Sequence, residues 1–150
     1  QEELKVTQLS SMDELLKVSD IVSVHVPSNE ETRGFINKDF FGKMKKSAIF
    51  INTARGDLVN EKDFFEAINN KVIAGAGIDV YPVEPLPADN KYKTLENVTL
   101  TPHISAGTVD ALKTKINHVV MNILRFMNGE ETLHSLNKDQ IKNKRREGMK

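Results

Sequence analysis

The sequence predicts an α/β fold: a parallel sheet whose strands are joined through helices. Two observations carry this. Four stretches rich in β-branched residues, "DIVSVHVP", "SAIFINT", "VIAGAGIDV" and "NVTLTP", are separated by segments with helical caps. These stretches are near-continuous apolar runs, not in-and-out alternations, as in strands covered on both faces.

Each element follows in chain order. Ser11 to Glu14 reads S-x-x-E, a capping box, and "MDELLKV" behind it predicts a short helix with Leu15, Leu16 and Val18 turned inward. "DIVSVHVP" is the first strand and stops at Pro27. Asn37 caps a helix over "KDFFGKM", and "SAIFINT" returns as a strand. Asn60 caps "EKDFFEAINN", after which "VIAGAGIDV" and "NVTLTP" supply the last two strands. Val109, Leu112, Ile116, Val119, Ile123 and Met127 recur every three or four positions, predicting one long amphipathic helix that ends before Gly129. The end, "KDQIKNKRREGMK", has no apolar period and reads as a solvated terminus.

Composition narrows the function classes. With 150 residues and 39% hydrophobic content, one domain has a sizeable core. Lys plus Arg and Asp plus Glu balance at 21 each, so no net field favours nucleic acid or an anionic membrane as partner. The absence of cysteine removes disulfides and thiolate chemistry, and no metal-ligand pattern stands out, so no metal is expected. No window approaches the roughly 20 apolar residues needed to cross a bilayer, and "QEELKVTQLS" lacks the apolar centre of a signal peptide. The expected location is the cytoplasm.

In open parallel α/β sheets, ligands sit beyond the carboxyl ends of the strands. Three predicted strand ends deliver Arg55, Asp79 with Glu84, and His103 to that edge, and Pro27, Ser28 and Asn29 leave the first strand on the same side. Singly, each has a plainer reading: Arg55 as a surface ion-pair partner, Asp79 as a turn cap, Glu84 as loop polarity. His25, His118 and His134 read best as packing or exposed residues. His103 differs because Pro102 precedes it and Ser105, Ala106 and Gly107 follow, small residues that let a ligand approach the backbone.

The stretches "SDIVSVHVPSNEETRGFINKDFFGKMKKSAIFINTARGDLVNE", "AGAGIDVYPVEPLP" and "NVTLTPHISAGT" together resemble the D-isomer-specific 2-hydroxyacid dehydrogenases, most closely the glyoxylate/hydroxypyruvate reductases. The resemblance implies a partial Rossmann-type, doubly wound parallel sheet followed by a long helix and a tail. It divides the chain into 1–107, part of the NAD(P)-binding domain; 108–128, an interdomain helix; and 129–150, a tail near the substrate domain. It implies that Arg55 grips the carboxylate of a small 2-keto acid, a task suited to a planar, permanently charged fork. His103 would exchange a proton with the ketone oxygen, and Glu84 would hold the ring and favour the imidazolium. Asp79, Pro27, Thr53, Ala54 and Ala106 match family positions around the NAD or NADP cofactor, with Arg55 and His103 at the same end. Family members are commonly dimers.

One expected motif is absent. A dinucleotide-binding domain opens with strand, G-x-G-x-x-G and helix. "GAGIDV" imitates only two of its glycines, with Val80 in the third place. The chain therefore reads as the carboxyl-terminal part of an enzyme, and the isolated 150 residues are expected to bind NADH weakly and to be inactive. The alternative is a non-enzymatic relative, such as a corepressor or a dimerisation module that keeps the nucleotide fold.

Overall fold

The computed structural model describes residues 6–136. It divides into two compact units, the first ending at Ile104 and the second beginning at Ser105.

In the first unit the caps select the helices. Helix α1 (Met12–Val18) begins where the Ser11 hydroxyl accepts from the Glu14 N–H at 3.2 Å. The capping box is shifted by one residue: Glu14 reaches back to the Ser10 N–H and hydroxyl, at 3.1 and 2.7 Å, instead of to Ser11. Only Leu16 of α1 is buried, while Leu15 and Val18 are exposed, because a seven-residue helix makes fewer than two turns and turns few positions to the core. Asn37 caps α2 (Lys38–Lys43) by accepting from the Asp39 and Phe40 N–H groups. Asn60 caps α3 (Glu61–Asn69) through the Asp63 N–H, and the Asp63 carboxylate in turn accepts from the Lys38 N–H at 2.9 Å, tying the two helix starts together.

Strands β1 (Ile21–Val24), β2 (Ile49–Asn52), β3 (Gly75–Ile78) and β4 (Val98–Leu100) form one parallel sheet in chain order. Register places Val22, Phe50, Ala76 and Val98 in one row and Val24, Asn52, Ile78 and Leu100 in the next but one, all on the same face. Residues of that face are buried in β1 and β2, whereas Ile21 and Ser23 on the other face are exposed and Ile49 and Ile51 half-buried. Coverage on both faces, expected from the apolar runs, is therefore not met among the described residues of this unit. The reason is topological. Parallel crossovers are right-handed, so connections that always step the same way across a sheet fall on one side of it. Gly75 and Gly77 lie inside β3, and a Cβ on Gly75 would press on the Asn97 carbonyl oxygen. Gly75 permits this close approach, and with both glycines inside the strand they form no phosphate-binding turn.

The covered face holds a run of rings. Phe41 meets Phe50 edge-on at 5.4 Å, Phe50 meets Phe64 at 6.3 Å, and Phe64 stacks on Tyr92 at 5.6 Å. Such pairs add about 0.5–1.5 kcal/mol each beyond the area they bury. Tyr92 comes from a 3₁₀ turn, Lys91–Thr94, in the polar stretch "NKYKTLEN", which the sequence left as a connection. Asn90 caps the turn by accepting from the Tyr92 N–H at 2.9 Å, which sends the ring inward. Burial, with the Glu61 carboxylate nearby, pushes its phenol far above the ordinary range.

The second unit starts with a 3₁₀ turn, Ser105–Gly107, and continues as α4 (Val109–Met127), capped by Thr108. The helix stops as predicted, with Gly129 at φ +73° and the Glu130 N–H donating to the Arg125 carbonyl at 2.8 Å. Its apolar stripe is not buried: Val109, Leu112, Ile116, Val119, Ile123 and Met127 are all more than half exposed. Asn122 binds both the N–H and the carbonyl of Leu133, folding the following segment back along α4. The basic end from Lys138, read as solvated, lies outside the described residues. No helix among the described residues is long and apolar enough to cross a membrane.

Candidate active site

The carboxyl ends of β1 to β4 open onto the loops that carry the predicted residues. At the end of β2, Asn52 is buried, and its side chain bends the chain: its Oδ1 accepts from the Ala54 N–H at 3.0 Å and its Nδ2 donates to the Arg55 carbonyl at 2.9 Å. That turn leaves Arg55 exposed. Its guanidinium donates to the Ala54 carbonyl at 2.6 Å and makes no ion pair among the described residues. Arg55, Ala54 and Thr53 line a cavity of about 510 Å³ with His25, Val26, Pro27 and Ser28 from the end of β1.

Gly56 follows Arg55 and lies directly against the Tyr81–Pro82 peptide, where an added Cβ would overlap backbone atoms. This contact joins the arginine loop to the loop after β3. There the Tyr81 N–H donates to Glu84 Oε1 at 2.9 Å, and Glu84 Oε2 lies 2.8 Å from His103 Nδ1. A carboxylate only accepts, so His103 Nδ1 carries the proton of this bond and Nε2 is left for another partner. The Tyr81 N–H, then the bond from His103, hold the Glu84 carboxyl below the usual carboxylate range.

The backbone of His103 is unusual. Its φ is +53°, in the left-handed region, which costs an L-residue about 1–2 kcal/mol. Asp79 Oδ1 accepts from the His103 N–H at 3.1 Å and from the Thr101 hydroxyl at 2.5 Å.

The lowered Glu84 pKa gives a pH prediction with a definite sign. A depressed carboxylate pKa stabilises the folded state above the unfolded value, and that contribution is lost as pH falls through the folded one. The Glu84–His103 contact is therefore expected to persist through neutral pH and to break only in acid, below the ordinary glutamate range. An imidazole resonance of His103 that loses its bonded shift between pH 5 and 7, with the fold intact, contradicts this.

Among the sequence-predicted residues, Glu84 and His103 touch, Asp79 holds the His103 backbone, and Pro27, Thr53, Ala54 and Arg55 share one cavity. Ala106 belongs to the second unit, where its carbonyl accepts from Lys115. Sequence reading missed Asn52, Gly56, Tyr81 and His25. An Asn at a strand end two residues before a bend is a usable Asx-turn signal for the first. His25, read as packing or exposed, lines the Arg55 cavity and bonds the Ser23 hydroxyl at 2.9 Å.

A polar cluster and a cavity at the carboxyl edge of a parallel sheet define an α/β domain with a ligand-binding edge. The chain belongs to the D-isomer specific 2-hydroxyacid dehydrogenases: the family's NAD binding domain matches residues 1–105. It is 38% identical over 135 residues to a glyoxylate reductase of Thermofilum pendens, covering 90% of this chain and 40% of that protein. A D-isomer specific 2-hydroxyacid dehydrogenase of Polaromonas superposes with TM-score 0.80 at 31% identity, over 87% of this chain and 41% of the other. An NADPH-dependent glyoxylate/hydroxypyruvate reductase of Sinorhizobium meliloti, solved with NADP and sulfate, gives TM-score 0.72 at 29% identity, over 85% and 42%. The chain thus spans about two-fifths of the length of the glyoxylate reductases it matches. NAD or NADP is the cofactor that fits this family.

Proposed function

We propose that the chain supplies the proton-transfer and anion-binding groups of an NAD(P)H-dependent reductase that converts a small 2-keto acid of the glyoxylate/hydroxypyruvate kind to the D-2-hydroxy acid. The 2.8 Å contact between Glu84 and His103, with Arg55 making no ion pair among the described residues, carries the reading. A cationic fork joined through its own loop to a carboxylate–imidazole pair suits a substrate that is an anion and ends as an alcohol.

The cavity beside Arg55 fits the nicotinamide end of the cofactor: Val26, Pro27, Thr53 and Ala54 offer apolar and small surfaces at two adjacent strand ends. When bound there, the cofactor supplies the hydride for the carbonyl carbon. Arg55 bonds the carboxylate and carbonyl oxygens of the substrate and polarises the carbonyl. His103, anchored at Nδ1, gives the Nε2 proton to the carbonyl oxygen, and the neutral ring remains bonded to Glu84. Asp79 and Ala106 complete the cofactor surroundings in this reading. The protein works as a cytoplasmic homodimer, a reading supported by the exposed α4 stripe and the absence of cysteine.

The complete polypeptide is expected to oxidise NADPH or NADH when given hydroxypyruvate or glyoxylate, and His103→Gln to lower that rate by about 10²–10⁴-fold. Dinucleotide binding with no turnover of any 2-keto acid would instead favour the corepressor-like alternative.

A further inference from the structure

Neither Asp79 nor Thr101 needs to touch substrate to matter for the reaction. The Asp79 Oδ1 atom receives both the Thr101 hydroxyl and the His103 N–H, and the Thr101 carbonyl accepts from the Tyr81 hydroxyl at 2.9 Å. Thr101 is thus held at both ends, by β3's last loop on one side and by the ring of Tyr81 on the other. Two residues later the chain enters the left-handed conformation at His103, a position where an L-residue needs outside support. With φ at +53° the imidazole meets Glu84. In an ordinary extended conformation the same side chain leaves the backbone in another direction.

We infer that Thr101 is a positioning residue: its hydroxyl fixes the Asp79 carboxylate, which fixes the His103 backbone, and the ring is thereby aimed between Glu84 and the substrate. The proposal rests on the reductase reading and assigns a role to the first hydroxyl after β4. Thr101 removes rotational freedom from Asp79, so that one carboxylate oxygen faces the His103 N–H at all times. The Tyr81 N–H does the same for Glu84. Two carboxylates therefore set the histidine: Asp79, held by a hydroxyl, through its main chain, and Glu84, held by a backbone N–H, through its ring.

Thr101→Val keeps the shape and removes the donor; Thr101→Ser keeps the donor. In the complete polypeptide, Thr101→Val is expected to lower kcat by about tenfold or more, with KM for the keto acid changed less than about threefold, since Arg55 is untouched. Thr101→Ser is expected to restore kcat to within about threefold of the parent. The same samples are read by the nitrogen-bound proton resonance of His103, which Thr101→Val is expected to broaden and Thr101→Ser to keep. Equal losses in Val and Ser variants, or an unchanged kcat in Thr101→Val, overturn the proposal. If no 2-keto acid is turned over, the reductase reading falls, yet the resonance still decides: a sharp His103 signal in Thr101→Val removes the clamp on its own. Should the valine variant not fold, amide exchange at His103 in the parent protein settles it. Slowing of about tenfold or more over a free amide supports the bond to Asp79, and free exchange overturns it.

Discussion

Arg55→Gln is expected to lower kcat/KM for a 2-keto acid by about 10³-fold, equivalent to about 4 kcal/mol of lost transition-state binding. Glutamine keeps a planar donor but is shorter and uncharged, so the loss reports the charge and the reach of the fork together. The loss should divide between KM and kcat, because in the proposed reaction the fork would bind the carboxylate in the ground state and the developing oxyanion in the transition state. Arg55→Lys restores the charge without the paired donors and should recover only part of it. Stability should hardly change: Arg55 is exposed, and among the described residues its guanidinium bonds the neighbouring Ala54 carbonyl and makes no ion pair. A variant with parental kcat/KM assigns substrate binding elsewhere.

Gly56→Ala is expected to be the most damaging small substitution for the site's integrity. Its Cβ would occupy the space of the Tyr81–Pro82 peptide, so one of the two loops must retreat. The neighbour is backbone and not a movable side-chain tip, so a cost of about 3 kcal/mol is expected, at the upper end for overpacking. Activity should fall further than stability explains, because the retreat separates Arg55 from the Tyr81 N–H that holds Glu84. Thermal unfolding and kcat measured together check this; a stable, fully active alanine variant shows that the loops do not need to meet so closely.

The helix starts were legible because capping is a local device. Ser11, Asn37 and Asn60 each bond an N–H within three residues. The strands were legible as apolar runs, but their lengths were not: of "VIAGAGIDV" only Gly75–Ile78 pairs as a strand. Residues beyond the pairing partner's end have no ladder to join, which local composition does not reveal. Glu84 and His103 were legible through their motif resemblance and their place at strand ends. Tyr81 and Gly56 were hidden because their partners lie in another loop, about 25 residues away in the case of Gly56 and Tyr81. Tyr92 was hidden by polar neighbours, since one inward ring in a short turn has no period to detect.

The sheet's strand order has a consequence for how the chain takes shape during synthesis. Because each strand pairs with the one made just before it, the growing polypeptide can dock every new segment on a neighbour that has already emerged. Among the described strands, none of β2, β3 and β4 has to wait for a distant partner, so these three can add to the sheet one after another. The Glu84–His103 pair forms last, when the loop bearing His103 arrives after β4.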